Sequence, residues 1–85
     1  MPRRWAADDP VWRQVANDIS ARIADGTYAL GSALPAEDEL ASEYAVARMT
    51  VRRALAELRK RKLIKALHGH GSAVVAMPGP GGLPS

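Results

Sequence analysis

Between Arg48 and Lys62 the chain can bury its apolar residues together only as a helix packed along one side. With Val51 set at zero and about 100° per residue, Leu58 falls at about −20°, Leu55 at about 40° and Ala54 at about −60°. The other side carries Arg59, Arg52, Ala56, Met49, Lys60 and Arg53 in turn. Such a helix must have its narrow stripe covered, and an 85-residue chain has few ways to do that. A chain of this size buries only about 60% of its unfolded surface, so one thin-cored domain is expected. A barrel or a dinucleotide-binding sheet does not fit. The absence of cysteine excludes a disulfide framework, a thiol nucleophile and a Cys-ligated metal. No apolar run approaches the ~18 residues of a membrane span, and the N-terminus lacks the apolar centre of a secretory signal. A cytoplasmic, membrane-free chain is the expectation.

The elements before the basic helix read in order. Residues 1–8 form a loose arm. Asp9 is the expected N-cap and Pro10 the first residue of a first helix. Trp12, Val15, Ala16, Ile19 and Ile23 make its apolar face; Trp5 and Trp12 are both candidate contact residues, the core being the favoured place for Trp12 while Trp5 is free to meet a neighbour. Gly26 ends this helix, where a left-handed residue is needed. Ala33-Leu34 can form a short extended piece. Pro35 opens a second helix, from Ala36 to about Tyr44, with Glu37, Asp38 and Glu39 in the first turn, where the helix dipole favours anions. Ala45-Val46-Ala47 is a tight break, and the third helix runs from Arg48 to Lys62.

The period then changes. Leu63–Leu67 and Ser72–Ala76 are short apolar runs joined by a glycine-containing loop, the pattern of a β-hairpin. Residues 77–85, with three Pro and three Gly, are expected to be disordered. The fold class is therefore mainly α with a small β-hairpin, ordered over residues 9–76.

Charge is unevenly spread along this order. Residues 1–46 hold four Arg and eight acids, net −4, whereas residues 47–85 hold eight Lys or Arg and Glu57, net +7. A basic half with a cationic helix face points to a polyanion, most simply double-stranded DNA. Arginine meets guanine O6 and N7 in bidentate fashion, and a small residue such as Ala56 lets the helix approach. Arg48, Met49, Thr50 and Arg52 lie in the first turn or so, the part that meets base edges in a helix-turn-helix. A basic face can also be merely solvated; the short second helix and tight turn before it favour DNA. A protein-interaction module is the rival reading. No nucleophile–base pair or phosphate loop is legible, so neither enzyme activity nor a cofactor is expected.

Pro35-Ala36-Glu37, Glu39-Leu40-Ala41, Val46, Arg48, Thr50-Val51-Arg52-Arg53-Ala54-Leu55, Leu63-Ile64 and Gly69-x-Gly71 together resemble the GntR family of bacterial transcription regulators. The resemblance covers about residues 10–76. It implies a winged helix-turn-helix, a repressor more often than not, whose third helix reads bases through Arg48, Met49, Thr50 and Arg52. Arg53, Arg59, Lys60, Lys62 and Lys65, with His68, Gly69 and His70 of the wing, would meet the backbone or the minor groove. The family carries Arg where Asp38 stands, Gly where Ala45 stands and a capping Ser, Thr or Asn where Ala47 stands. The wing's basic residues are thinned to Ala66, Leu67, His68 and His70.

His68 and His70 make a poor metal site without a Cys or a matching carboxylate, so no metal is expected. They are turn residues without a role or backbone contacts, and a backbone contact would respond to pH around ~6.5. The expected partner is a two-fold symmetric duplex operator, with a weak homodimer formed on it. Family members usually carry an effector-binding domain after the wing. Only nine residues follow Ala76, so a free-standing module or a fragment of a longer effector-responsive regulator is expected, with no small-molecule effector bound within this chain.

Overall fold

A computed structural model of the chain describes residues 5–67 and 71–78. Three helices precede a two-stranded hairpin: α1 (Val11–Ala24), α2 (Glu37–Tyr44), α3 (Arg48–Lys60), β1 (Ile64–Ala66) and β2 (Ser72–Val74). This is the expected class.

In α1, Val15, Ala16, Ile19 and Ile23 recur at helical spacing, and all are fully buried. The helix starts one residue later than the sequence implied. Pro10 holds the cap position, and its carbonyl accepts from the N–H groups of Arg13 and Gln14 at 3.1 and 3.2 Å. Asp9 is not the cap; its carboxylate lies 3.4 Å from the Arg13 guanidinium. Gly26 stands at φ 89°, the left-handed conformation that lets the chain leave α1. Residues 5–9 are tied down: the Gln14 amide donates to the carbonyls of Ala6 and Asp9 at 2.9 and 2.7 Å.

α2 begins after Pro35, and the Glu39 carboxylate reaches back to accept the Ala36 N–H at 3.2 Å. Leu40 and Tyr44, four residues apart, are both fully buried. A hydrogen-bonded cluster fastens the end of α2 to α1. The Tyr44 hydroxyl donates to Asp18 at 2.6 Å, and Arg22 lies 3.2 Å from that same carboxylate oxygen. Arg22 also donates to Glu43 and, at 3.2 Å, to the Tyr28 hydroxyl. The chain then turns at Ala45, whose φ of 54° is left-handed, and the Val46 N–H closes the turn on the Ala41 carbonyl at 3.0 Å.

α3 buries Val51, Ala54, Leu55 and Leu58 against α1 and α2, as the wheel requires. It ends at Lys60, two residues short of the expected Lys62. Lys62 adopts φ 64°, and the N–H groups of Lys62 and Leu63 bond back to the carbonyls of Arg59 and Leu58 at 2.9 and 3.1 Å. No glycine marks this left-handed turn, so the run of cations conceals it.

The hairpin pairs Ile64 with Val74, Lys65 with Ala73 and Ala66 with Ser72, antiparallel. The extended piece at Ala33-Leu34 is present and pairs with the far edge of β2. Gly31 donates to Val74 at 2.9 Å, Val74 to Ser32 at 2.9 Å and Leu34 to Ser72 at 2.8 Å. The hairpin is thus clamped to the segment that leads into α2. Its inner side chains, Ile64, Ser72 and Val74, are buried. Among the described residues no helix is long and apolar enough to cross a membrane.

Candidate nucleic-acid interface

The side of α3 turned from the core is exposed along its length: Arg48, Met49, Arg52, Arg53, Ala56, Arg59 and Lys60 all face solvent, and Thr50 is half-buried. Met49 is 68% exposed, an apolar side chain set among these cations. Lys62 is exposed in the turn after α3 and Lys65 on β1. An open groove separates α3 from the hairpin, with Arg48, Arg52 and Arg59 on one wall and Ala66 and Leu67 on the other. His68, Gly69 and His70 lie outside the described residues.

Two arginines of this face are braced by the acids that start α2. The Arg48 guanidinium meets Asp38 at 2.8 Å and Glu37 at 3.8 Å. Arg52 Nε lies 3.3 Å from each Glu37 carboxylate oxygen. Both arginine side chains remain more than half exposed, at 60% and 56%. Exposed pairs of this kind contribute about 0–1 kcal/mol, enough to hold the arginines extended and little enough to yield to a stronger anion. A phosphate or a guanine edge can replace the carboxylates without leaving a buried charge behind.

The two tryptophans exchange the roles expected of them. Trp5 packs against the core with its ring centroid 6.2 Å from that of Tyr44. Trp12 borders a hollow beside Met49, Thr50, Arg53 and Ala56, and the Arg53 guanidinium lies 5.0 Å from its ring centroid. Periodicity put Trp12 in the apolar stripe of α1 because it is spaced like Val15 and Ile19. It belongs to the first turn, however, where the stripe runs past the core. Arg59, Lys60, Lys62 and Lys65 have no carboxylate partner among the described residues. The sequence singles out Trp12 but not its contact with Arg53, and it does not show that Glu37 and Asp38 brace arginines of α3. Only the acidic first turn of α2, two residues after Pro35, hinted at the second.

Comparison with known proteins gives this arrangement a family. Residues 12–74 match the model described as bacterial regulatory proteins, gntR family. The chain is 40% identical over 65 residues to the mannosyl-D-glycerate transport/metabolism system repressor MngR of Escherichia coli, covering 76% of this chain and 27% of that protein. Its fold is similar to a GntR family transcriptional regulator from Listeria monocytogenes, with a TM-score of 0.78, 31% identity and coverage of 84% of this chain and 62% of that one. It is also similar to the DNA-binding domain of AraR in complex with operator ORX1, with a TM-score of 0.76, 27% identity and coverage of 88% and 93%. The chain spans about a quarter of the length of the curated relatives it matches. With its helix-turn-helix, its wing and a family match over most of its length, the chain belongs to the GntR family of bacterial regulatory proteins.

Proposed function

We propose that the chain binds double-stranded DNA sequence-specifically, with α3 in the major groove and the hairpin on the backbone or minor groove, and that it acts as a repressor. The observation that carries this reading is α3 itself. Its apolar stripe is buried, and its outer side projects Arg48, Arg52 and Arg53 around the small Ala56. That is the layout a helix needs to enter a groove with its backbone close to the bases. The likeness to an operator-bound domain supports the reading, as does a similar protein named a repressor.

In this reading Arg48, Met49, Thr50 and Arg52 meet base edges. Arg53, Arg59, Lys60, Lys62, Lys65 and the wing residues His68, Gly69 and His70 meet the backbone. The two classes separate experimentally. Arg52→Ala costs about 1–3 kcal/mol and relaxes the preference at one base pair, whereas Lys60→Ala weakens all sequences alike and lowers the salt slope by about one. Duplexes selected from a random pool, followed by binding titrations at several salt concentrations, test both. Salt-insensitive binding, or equal affinity for RNA hairpins, contradicts the proposal.

A further inference from the structure

Trp12 stands apart from the other aromatic side chains. Trp5, Tyr28 and Tyr44 pack on the core, whereas Trp12 leaves the first turn of α1 half-buried, beside the outer side of α3. Two guanidinium groups approach its ring, Arg13 at 5.6 Å and Arg53 at 5.0 Å. Arg13 is already paired with Asp9. Arg48 and Arg52 are paired with Asp38 and Glu37. Arg53 has no carboxylate partner among the described residues, so a π face holds its charge in place of an anion.

That difference matters for what Arg53 can still bind. A guanidinium is planar, and its five N–H donors point outward in its own plane. A contact with a ring takes up one side of the guanidinium, and the N–H donors turned away from the indole fit phosphate oxygens in bidentate fashion. A free arginine would lose much of its rotamer freedom on gripping a phosphate; one already held on an indole loses less.

We propose that Trp12 is a positioning residue of the DNA interface, its indole fixing the Arg53 guanidinium so that the N–H edges grip a backbone phosphate beside the bases met by α3. The proposal rests on the DNA-binding reading above. It gives α1 a part in recognition beyond supporting α3.

Trp12→Leu keeps an apolar side chain but removes the π face, while Trp12→Phe keeps a weaker one. With a duplex selected from a random pool, Trp12→Leu should lower affinity two- to five-fold, the worth of an exposed cation–π contact. The salt slope should fall by a fraction of a counterion, less than the fall of about one in Arg53→Ala, because Arg53 keeps its charge but occupies the phosphate contact less fully. The double variant should bind no more weakly than Arg53→Ala alone, and Trp12→Phe should recover part of the loss. Lys60→Ala should weaken binding equally with or without the Trp12 change. In a Trp5→Phe chain, Trp12 is the sole tryptophan, and its emission should change when duplex is added.

Circular dichroism and melting curves on each variant separate a folding defect from a contact. If Trp12→Leu fails to fold, the Phe variant and the emission of the Trp5→Phe chain decide. An unchanged salt slope, additive losses in the double variant, or emission indifferent to duplex overturns the proposal while wild-type binding persists. Loss of duplex binding by the wild type itself would overturn the DNA reading instead.

Discussion

Asp38 is, with Glu37, one of two carboxylates at the arginines of a surface otherwise arranged for an anion. At the first turn of α2 it suits the helix dipole, and at 2.8 Å it holds Arg48, but it also repels phosphate. The side chains are 72% and 60% exposed, so the pair adds little to stability and repulsion decides the sign. Asp38→Asn should therefore raise duplex affinity several-fold at low salt, with the gain shrinking as salt screens it. Equal or weaker binding in an anisotropy titration would show that the carboxylate's hold on Arg48 matters more. Tyr44 makes a second residue-scale argument. Burial pushes its phenol well above the ordinary range, and the hydrogen bond to Asp18 adds to the shift. The folded chain thus keeps a proton that the unfolded chain releases above about pH 10. The resulting stability is complete below that pH and is lost as pH rises beyond it. Tyr44→Phe should melt lower at pH 7, by on the order of 1–3 kcal/mol for the lost bond to a carboxylate. Its melting temperature should also fall less than the wild type's between pH 9 and about 11. Parallel slopes would remove Tyr44 from the alkaline transition.

At the scale of elements, the turn between α2 and α3 carries avoidable strain. Ala45 sits at φ 54° and ψ 48°, where a Cβ costs roughly 1–2 kcal/mol. Glycine would relieve that and would lose about 0.5–1 kcal/mol through a freer unfolded chain. Relief wins, so Ala45→Gly should stabilise by about 0.5–1 kcal/mol and raise the melting temperature by roughly 2–8 °C. Its backbone already has the required shape, so duplex affinity should not change. A lower melting temperature would contradict the argument. This turn was half legible in the sequence: its length showed, its handedness only through the family's glycine. The legible elements were those whose residues both signal and satisfy one constraint. Val15, Ile19 and Ile23 mark a helix face and fill the core, and Gly26 marks an end and takes the left-handed backbone. The overrun at Lys62 has the opposite cause. A left-handed lysine carries no local signal; α3 ends there as the Lys62 and Leu63 N–H groups bond back to Arg59 and Leu58 and Leu63 turns into the core. The outer face of α3 was legible because anything off a buried stripe is exposed. Its braces were not, since Glu37 and Asp38 reach Arg48 and Arg52 across a turn of the chain that no periodicity describes.

Among the described residues most of the large apolar side chains go to one core. Trp5, expected to be free for a neighbour, packs on Tyr44. Among the described residues the large apolar side chains still exposed are Leu30, Met49, Leu67, Val75 and Met77. Met49 belongs to the outer face of α3 and Leu67 to the groove beside it, which leaves three. A stable protein–protein interface needs about 800 Å² from each partner, more than three scattered side chains supply. The 85-residue chain should therefore be a monomer without DNA. On the proposed DNA-binding function, however, one α3 would reach only a few base pairs, each matched pair contributing about 1–3 kcal/mol. Two copies on half-sites related by a two-fold axis double those contacts. Half-sites one helical turn apart are separated by about 34–36 Å, and the molecule measures 33 × 29 × 21 Å. Neighbours on successive turns would then just touch, close enough for a weak contact that exists only on the duplex. Velocity sedimentation should show a monomer alone, one copy on a half-site and two on a full site, with the second copy binding more tightly than the first. A tight dimer without DNA would mean that Leu30, Val75 and Met77 do more than their area implies. Equal affinity for each copy on half and full sites would mean that the duplex brings the copies together without their touching.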